Sequence, residues 1–122
     1  MSKKVLIVDD DRIVLSSCKR ALESAGFLVQ TAQNFEEFQK QIASEFDIFL
    51  IDLKMPVRDG ISLIQEIRRM RPDSTIVAMS GYVTEETIEE SFEAGASSFL
   101  GKPFTPDELL QSIKKALKEE KA

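Results

Sequence analysis

The sequence predicts an α/β fold, a doubly wound five-stranded parallel sheet with helices on both faces. Three observations carry the prediction. Five short apolar or β-rich runs recur along the chain: Lys4 to Val8, Phe27 to Ala32, Ile48 to Ile51, Thr75 to Met79 and Ser97 to Leu100. Each is followed by a stretch whose apolar residues return at helical spacing, and a helix in every crossover makes consecutive strands parallel. The central run, Ile48-Phe49-Leu50-Ile51, is apolar without a break and stops at Asp52, the pattern of a strand buried on both faces.

The first strand, Lys4 to Val8, leads directly into Asp9, Asp10 and Asp11. Val14, Cys18, Ala21, Leu22 and Ala25 then form a helical stripe, and Gly26 stands at the helix-ending position. After the second strand, Asn34 with Glu37 three residues on resembles a capping box, and Phe35, Phe38 and Ile42 supply the inward stripe. Beyond Asp52, the pair Met55-Pro56 bars continuation as a central strand, because proline has no N–H to donate. A third helix runs from about Gly60 to Arg71 with Ile64 and Ile67 inward, and Pro72 stops it. The fourth strand is followed by Ser80-Gly81, and Thr84 caps a fourth helix with a thin stripe of Ile88 and Phe92, ended by Gly95. The fifth strand ends at Gly101-Lys102-Pro103. The last helix opens with Thr105, Pro106 and Glu108, a capping box with proline at the first helical position. Its apolar face is Leu109, Leu110, Ile113 and Leu117, and Lys114, Lys115 and Lys118 suit the dipole near its end.

A chain of 122 residues makes one domain, 1–122, with one core and no output domain expected. A net charge of −5 argues against a general nucleic-acid binder. No apolar run is long enough to cross a bilayer, and the N-terminal apolar stretch is too short for a signal peptide. With one cysteine, Cys18, the chain cannot form an internal disulfide, and a cytoplasmic location is the simplest reading. The sequence holds no histidine. That excludes Ser-His and Cys-His nucleophile pairs, histidine-ligated zinc and histidine acid–base chemistry.

In open parallel sheets, ligands bind beyond the carboxyl ends of the strands. Strand one delivers Asp9 and Asp10 to that rim, strand three Asp52, strand four Ser80 and Gly81, strand five Lys102. Three converging carboxylates repel unless a positive group joins them. Lys102 is one partner, and a divalent metal is the other. An oxygen-only donor set favours a hard cation, magnesium first, with manganese as a substitute. Carboxylate, metal, hydroxyl and ammonium suit phosphoryl transfer, which needs positioning and charge neutralisation. Asp52 is then the nucleophile, giving an aspartyl-phosphate whose oxygens Ser80, the Gly81 N–H and Lys102 would meet.

At this point Val8-Asp9-Asp10, Ile51-Asp52 with Met55-Pro56 and Gly60, Ser80-Gly81 and Lys102-Pro103-Phe104 resemble the receiver domain of two-component response regulators, over essentially the whole chain. The resemblance implies a flavodoxin-like strand order 2-1-3-4-5, with Asp52 as phospho-acceptor. It implies magnesium bound by Asp10 and Asp52 directly, by Asp9 through water and by the backbone carbonyl of Lys54. Ser80 and Lys102 would hold the phosphoryl group, and Phe99 would be an aromatic switch that moves with Ser80. The Lys102–Pro103 bond would be cis. Lys54 and Tyr82 would tune dephosphorylation, and the Lys54 side chain could partly occupy the acidic pocket at rest. The implied partners are a sensor histidine kinase or phosphotransfer protein as donor, and a downstream protein on the face of helix four, strand five and helix five. Homodimer formation on phosphorylation is a further expectation, and neither nucleic acid nor membrane is contacted directly.

Two other readings stay open. An Asp-nucleophile phosphatase of the haloacid-dehalogenase type shares the carboxylates, hydroxyl and lysine, but wants an Asp where Lys54 stands and a cap insertion. A pseudo-receiver would be an interaction module that never meets phosphate, and the complete acidic and basic set argues against it. Taken singly, Asp11 is a helix-start acid, Ser80-Gly81 is turn chemistry, Phe99 is a half-buried strand aromatic and Cys18 is core. Glu85, Glu86, Glu89, Glu90 and Glu93 make helix four acidic, ordinarily a solvated face.

Overall fold

Successive side chains on a strand point to opposite faces of its sheet. In the structure, a computed structural model that describes residues 2–55 and 59–121 and side chains as far as Lys118, that alternation sorts the apolar residues into two cores. The elements in chain order are β1 (Lys4–Val8), α1 (Arg12–Ser24), β2 (Leu28–Ala32), α2 (Phe35–Gln41), β3 (Ile48–Asp52), α3 (Gly60–Met70), β4 (Thr75–Ser80), α4 (Glu85–Ala94), β5 (Ser98–Gly101) and α5 (Pro106–Lys121). The strands pair in parallel in the order β2-β1-β3-β4-β5. This is the order that the resemblance implies.

On one face, Leu6, Val8, Phe49, Ile51, Ile76 and Ala78 pack against Phe38 of α2, Leu63, Ile64 and Ile67 of α3, and Ala94 of α4. On the other, Val5, Ile7, Ile48, Leu50, Val77 and Met79 pack against Leu15, Cys18 and Leu22 of α1 and Leu109, Ile113 and Ala116 of α5. Every residue of β3 is buried, as the unbroken apolar run predicts. Burying a large aliphatic or aromatic side chain contributes about 1.5–3 kcal/mol, so the central strands are the most strongly held part of the chain.

The helix starts follow capping chemistry. Asp11 Oδ1 accepts the N–H groups of Ile13 at 2.8 Å and Val14 at 3.4 Å. Thr105 Oγ1 accepts the Glu108 N–H at 3.1 Å, and Glu108 Oε1 accepts the Thr105 N–H at 2.9 Å, a reciprocal box. The box at Asn34 differs from the expected form. Asn34 Oδ1 accepts the Glu37 N–H, but Glu37 Oε1 reaches back to the N–H of Gln33 at 2.6 Å, one residue before the cap.

The side-chain stripes depart from expectation in three places. In α1, Leu15 is buried with Cys18 and Leu22, while Val14 and Ala21 are half-buried. In α3, Leu63 joins Ile64 and Ile67. In α4, Phe92 is 47% exposed, and the buried residues are Ser91 and Ala94. Small side chains let that helix lie close to the sheet, which leaves the phenyl ring outside. The second half of the Met55-Pro56 stop lies outside the described residues.

Gly60 opens α3 where the chain returns beneath the exit of β3. A Cβ there would overlap the Asp52 carbonyl oxygen and stand 2.7 Å from Leu53 Cα. Its N–H donates to the Leu53 carbonyl at 3.1 Å. The obstacle is backbone, which cannot rotate away. Gly60→Ala should therefore lower unfolding stability by at least about 1–3 kcal/mol, the usual cost of forced overpacking, read as a fall in the urea midpoint. An unchanged midpoint would show that the start of α3 shifts freely.

Candidate functional site

The parallel sheet brings the ends of β1, β3, β4 and β5 to one rim. Asp9 prolongs the ladder of β1, its N–H donating to the Ala32 carbonyl at 3.1 Å, so its carboxylate turns into the protein and is fully buried. Asp10, the next residue, faces solvent, as alternation along an extended backbone requires. Asp52 is the last residue of β3 and is 3% exposed. One oxygen from each of Asp9, Asp10 and Asp52 lies within 4.8 Å of the others.

Lys102 follows β5, its N–H donating to the Ser80 carbonyl at 2.8 Å, and its bond to Pro103 is cis. The ammonium lies 2.7 Å from Asp9 Oδ2 and 3.4 Å from Asp52 Oδ1. Asp9 Oδ1 accepts the Asp11 N–H at 2.9 Å, which occupies both of its oxygens. Asp52 Oδ1 also accepts the Lys54 N–H at 3.3 Å. Among the described residues, nothing donates to Asp52 Oδ2.

Burial is the main force on Asp52. Together with the charge of Asp9 it outweighs Lys102 and the Lys54 N–H, and raises the carboxyl from 3.8 to about 6. For Lys102, burial pulls downward, but the hydrogen bond to Asp9 and the charges of Asp52 and Asp9 prevail and raise it, so the ammonium is secure. Cys18, beneath the rim, is pushed up to about 11 by burial and by Asp9. It is an inert core thiol.

Among the described residues, three carboxylates against the Lys102 ammonium leave an excess of two negative charges, the charge of one divalent cation. The donors are hard oxygens with neither histidine nor thiolate, so Asp9, Asp10 and Asp52 fit magnesium, manganese or calcium better than zinc or copper.

Residues 5–114 match the response regulator receiver domain family. The chain belongs to that family. Among curated proteins, it is similar to the transcriptional regulatory protein PrrA of Mycobacterium leprae, 36% identical over 118 residues that cover 96% of this chain and 51% of that one. The chain thus spans about half the length of that relative. Among solved structures, it is similar to a CheY-like response regulator receiver domain protein from Methanospirillum hungatei, with TM-score 0.91 and 34% identity over 99% of this chain and 98% of the other. It is also similar to a response regulator from Burkholderia pseudomallei, solved with a phosphorylated aspartic acid, a calcium ion and citrate. There the TM-score is 0.86 and identity 29%, over 99% of this chain and 74% of the other.

In this receiver domain the remaining motif residues take distinct positions. Ser80 ends β4, fully buried, and its Oγ accepts the Tyr82 N–H at 3.0 Å. Gly81 is exposed beside it. Phe99 of β5 is half-buried against the α2–α3 core. Among the described residues the Lys54 ammonium makes no ion pair with a carboxylate, so the partial occupation of the acidic pocket that the resemblance allowed is not seen. It stands 5.1 Å from the centroid of the Tyr82 ring, a cation–π contact beside the site. Sequence reasoning placed Gly60 at the start of the third helix and among the motif residues, without the close approach of α3 to the backbone of Asp52 that it permits. The available signal was a glycine at a helix start, a place that ordinarily favours other residues.

Because Asp52 ionises harder folded than unfolded, its charge costs nothing below pH 4. The penalty grows as pH rises through about 4 to 6, and is constant above. Asp52→Asn should therefore stabilise the protein at pH 7 in chelator-containing buffer by about 1–3 kcal/mol, after discounting for solvent screening. It should also flatten the decline between pH 4 and 6, read by urea denaturation at each pH. A variant less stable than wild type at pH 7 would contradict this balance of forces.

Proposed function

We propose that this receiver domain accepts a phosphoryl group on Asp52 from a phosphohistidine donor, in a magnesium-dependent reaction, and uses the modification as a signalling switch. The observation that carries the reading is the arrangement around Asp52. Among the described residues, nothing donates to one of its oxygens, and the carboxylate lies beside a lysine and two further carboxylates. Attack by Oδ2 forms the O–P bond as the P–N bond to the donor breaks, and the electron pair leaves with the donor imidazole, which takes a proton. Asp9, Asp10 and the backbone carbonyl of Lys54 would hold the magnesium ion together with Asp52. When bound, that ion supplies charge neutralisation at the phosphoryl oxygens. Lys102, already aimed between Asp9 and Asp52, would follow the new negative charge. Ser80 would give up its turn with Tyr82, and Gly81 would offer its N–H. The phosphorylated aspartic acid of the Burkholderia neighbour supports the same chemistry here.

The readout in this proposal is the face made by α4, β5 and α5. Phe99 lies on β5 in register with Ala78 of β4, two residues from Ser80, and would turn as Ser80 moves. Lys54 and Tyr82, in contact beside the site, would set how readily water reaches the phosphoryl group, and so the lifetime of the modification. The relative named as a transcriptional regulator favours control of transcription, through an attached segment or a separate partner, as the downstream event. The donor would be a sensor histidine kinase or phosphotransfer protein in the cytoplasm.

Incubation with acetyl phosphate and magnesium should add one phosphoryl group, labile to base, in intact-mass measurements. Chelator or Asp52→Asn should abolish it; undiminished labelling of the variant would exclude Asp52. Lys102→Ala should keep labelling within about tenfold of wild type, yet remove the phosphorylation-dependent change in NMR shifts at Ser80 and Phe99. Shifts equal to those of wild type would show that Lys102 does not couple the two.

A further inference from the structure

Helix α4 is tied to the protein unevenly. Its first turn is solvent-facing, with Glu85 and Glu86 exposed and Thr87 and Ile88 half-buried. Tyr82 and Val83, which lead into it, are 62% and 58% exposed. Its two buried residues, Ser91 and Ala94, both lie in the C-terminal half. Like charges at Glu85 and Glu89, Glu86 and Glu90, and Glu89 and Glu93 repel along its surface.

The C-terminal end carries the opposite bias. Its last turn holds no basic residue, and Glu90 and Glu93 sit near the negative end of the dipole, where acids are disfavoured. Arg68 of α3 supplies the missing cation. Its guanidinium donates to the Gly95 carbonyl through Nε at 3.0 Å and Nη2 at 2.6 Å. Nη1 donates to the carbonyls of Pro72 at 2.8 Å and Ser74 at 2.7 Å, at the entrance to β4. Nη2 also donates to Ser97 Oγ at 3.4 Å, at the entrance to β5. Ser97 Oγ in turn accepts the Ile76 N–H at 3.1 Å. Gly95 has φ +122, and a Cβ there would meet Arg68 Cγ at 2.9 Å, so that glycine serves both the helix-ending turn and the close approach of the arginine.

We propose that Arg68 is the fixed pivot of α4. It locks the C-terminal end of the helix to α3 and to the entrances of β4 and β5, and it leaves the N-terminal half free to move with Ser80 and Gly81. A shift at Ser80 then reaches the surface as a tilt of α4 about Gly95 rather than as a translation of the whole helix. The use of this tilt in signalling rests on the reading of Asp52 as phospho-acceptor, but the pivot itself does not.

NMR-resolved amide hydrogen exchange on the unphosphorylated protein tests the pivot without any phosphodonor, so the result is independent of the chemistry at Asp52. In wild type, the amides of residues 88–90 should exchange at least about tenfold faster than those of 93–96, after correction for intrinsic rates. In Arg68→Gln, exchange at 93–96 should rise at least about tenfold, toward the rate of 88–90, while β1 and β3 amides are unchanged. Equal protection of the two halves in wild type would overturn the proposal, as would unchanged exchange at 93–96 in the variant. An equal loss of protection in β1 and β3 would also overturn it, since Arg68 would then hold the fold as a whole. Ser97→Ala removes one acceptor and keeps the carbonyl bonds; it should alter exchange at 93–96 by less than about threefold. A loss as large as that of Arg68→Gln would place the anchor at Ser97 instead.

Discussion

The rest of the structure depends on one electrostatic constraint. Parallel topology delivers Asp9, Asp10 and Asp52 to a single rim, where among the described residues Lys102 pairs with Asp9 and Asp52. Charges that water would separate are held together by the strands that carry them. The apolar residues of β1 and β3 are buried without exception from Val5 to Val8 and from Ile48 to Ile51, and their burial offsets the repulsion. A less buried pair of strands would relieve the crowding by moving apart. Burial first, and the charge of Asp9 second, raise the ionisation of Asp52 above its ordinary value.

The same constraint divides the molecule into rigid and compliant parts. The strands that position the acids are sealed between two helical layers, and Gly60 clamps α3 to the backbone of Asp52 itself. The compliant part lies on the other side of Ser80. Its hydroxyl is committed to a local turn with Tyr82, and α4 beyond it is fastened chiefly at its far end, through Ser91, Ala94 and the bonds of Arg68 to Gly95. Rigid placement of the acids beside a lightly held helix is what a switch requires, because a change at the site meets less resistance there than in the sheet.

The elements that were plain in the sequence are those whose stabilisation is local or continuous. The strands β1 and β3 announce themselves as unbroken apolar runs. The caps at Asp11, Thr84 and Thr105 are short-range hydrogen-bond patterns. The rim set Asp9, Asp10, Asp52, Ser80 and Lys102 followed from a rule of topology, which needs only the strand ends. What escaped was long-range or set by small residues. The inward face of α4 uses Ser91 and Ala94, which leave no hydrophobic stripe to read, so Phe92 was placed inside when its ring lies outside. The contact of the Lys54 ammonium with the Tyr82 ring, 28 positions along the chain, was not legible either. Arg68 looks like any surface arginine of an amphipathic helix until Gly95, 27 residues later, comes within reach.

Adjacent acids on the rim are not equivalent, and their differences favour Asp52 over its neighbours as the reactive group. Asp9 is fully buried with both oxygens bonded, one by the Asp11 N–H and one by Lys102. Attack through either would break a charge-assisted bond. Asp10 is exposed, and a solvated carboxylate is a weak nucleophile held in no particular direction. Asp52 lies between these limits. Burial and Asp9 raise the energy of its anion, one oxygen is oriented by the Lys54 N–H and Lys102, and the other meets no donor among the described residues. An oriented carboxylate with a destabilised charge, and with one oxygen uncommitted among the described residues, is the one of the three that the proposed phosphoryl transfer would use. It is also the group that gains most from any cation or covalent bond that disperses its charge.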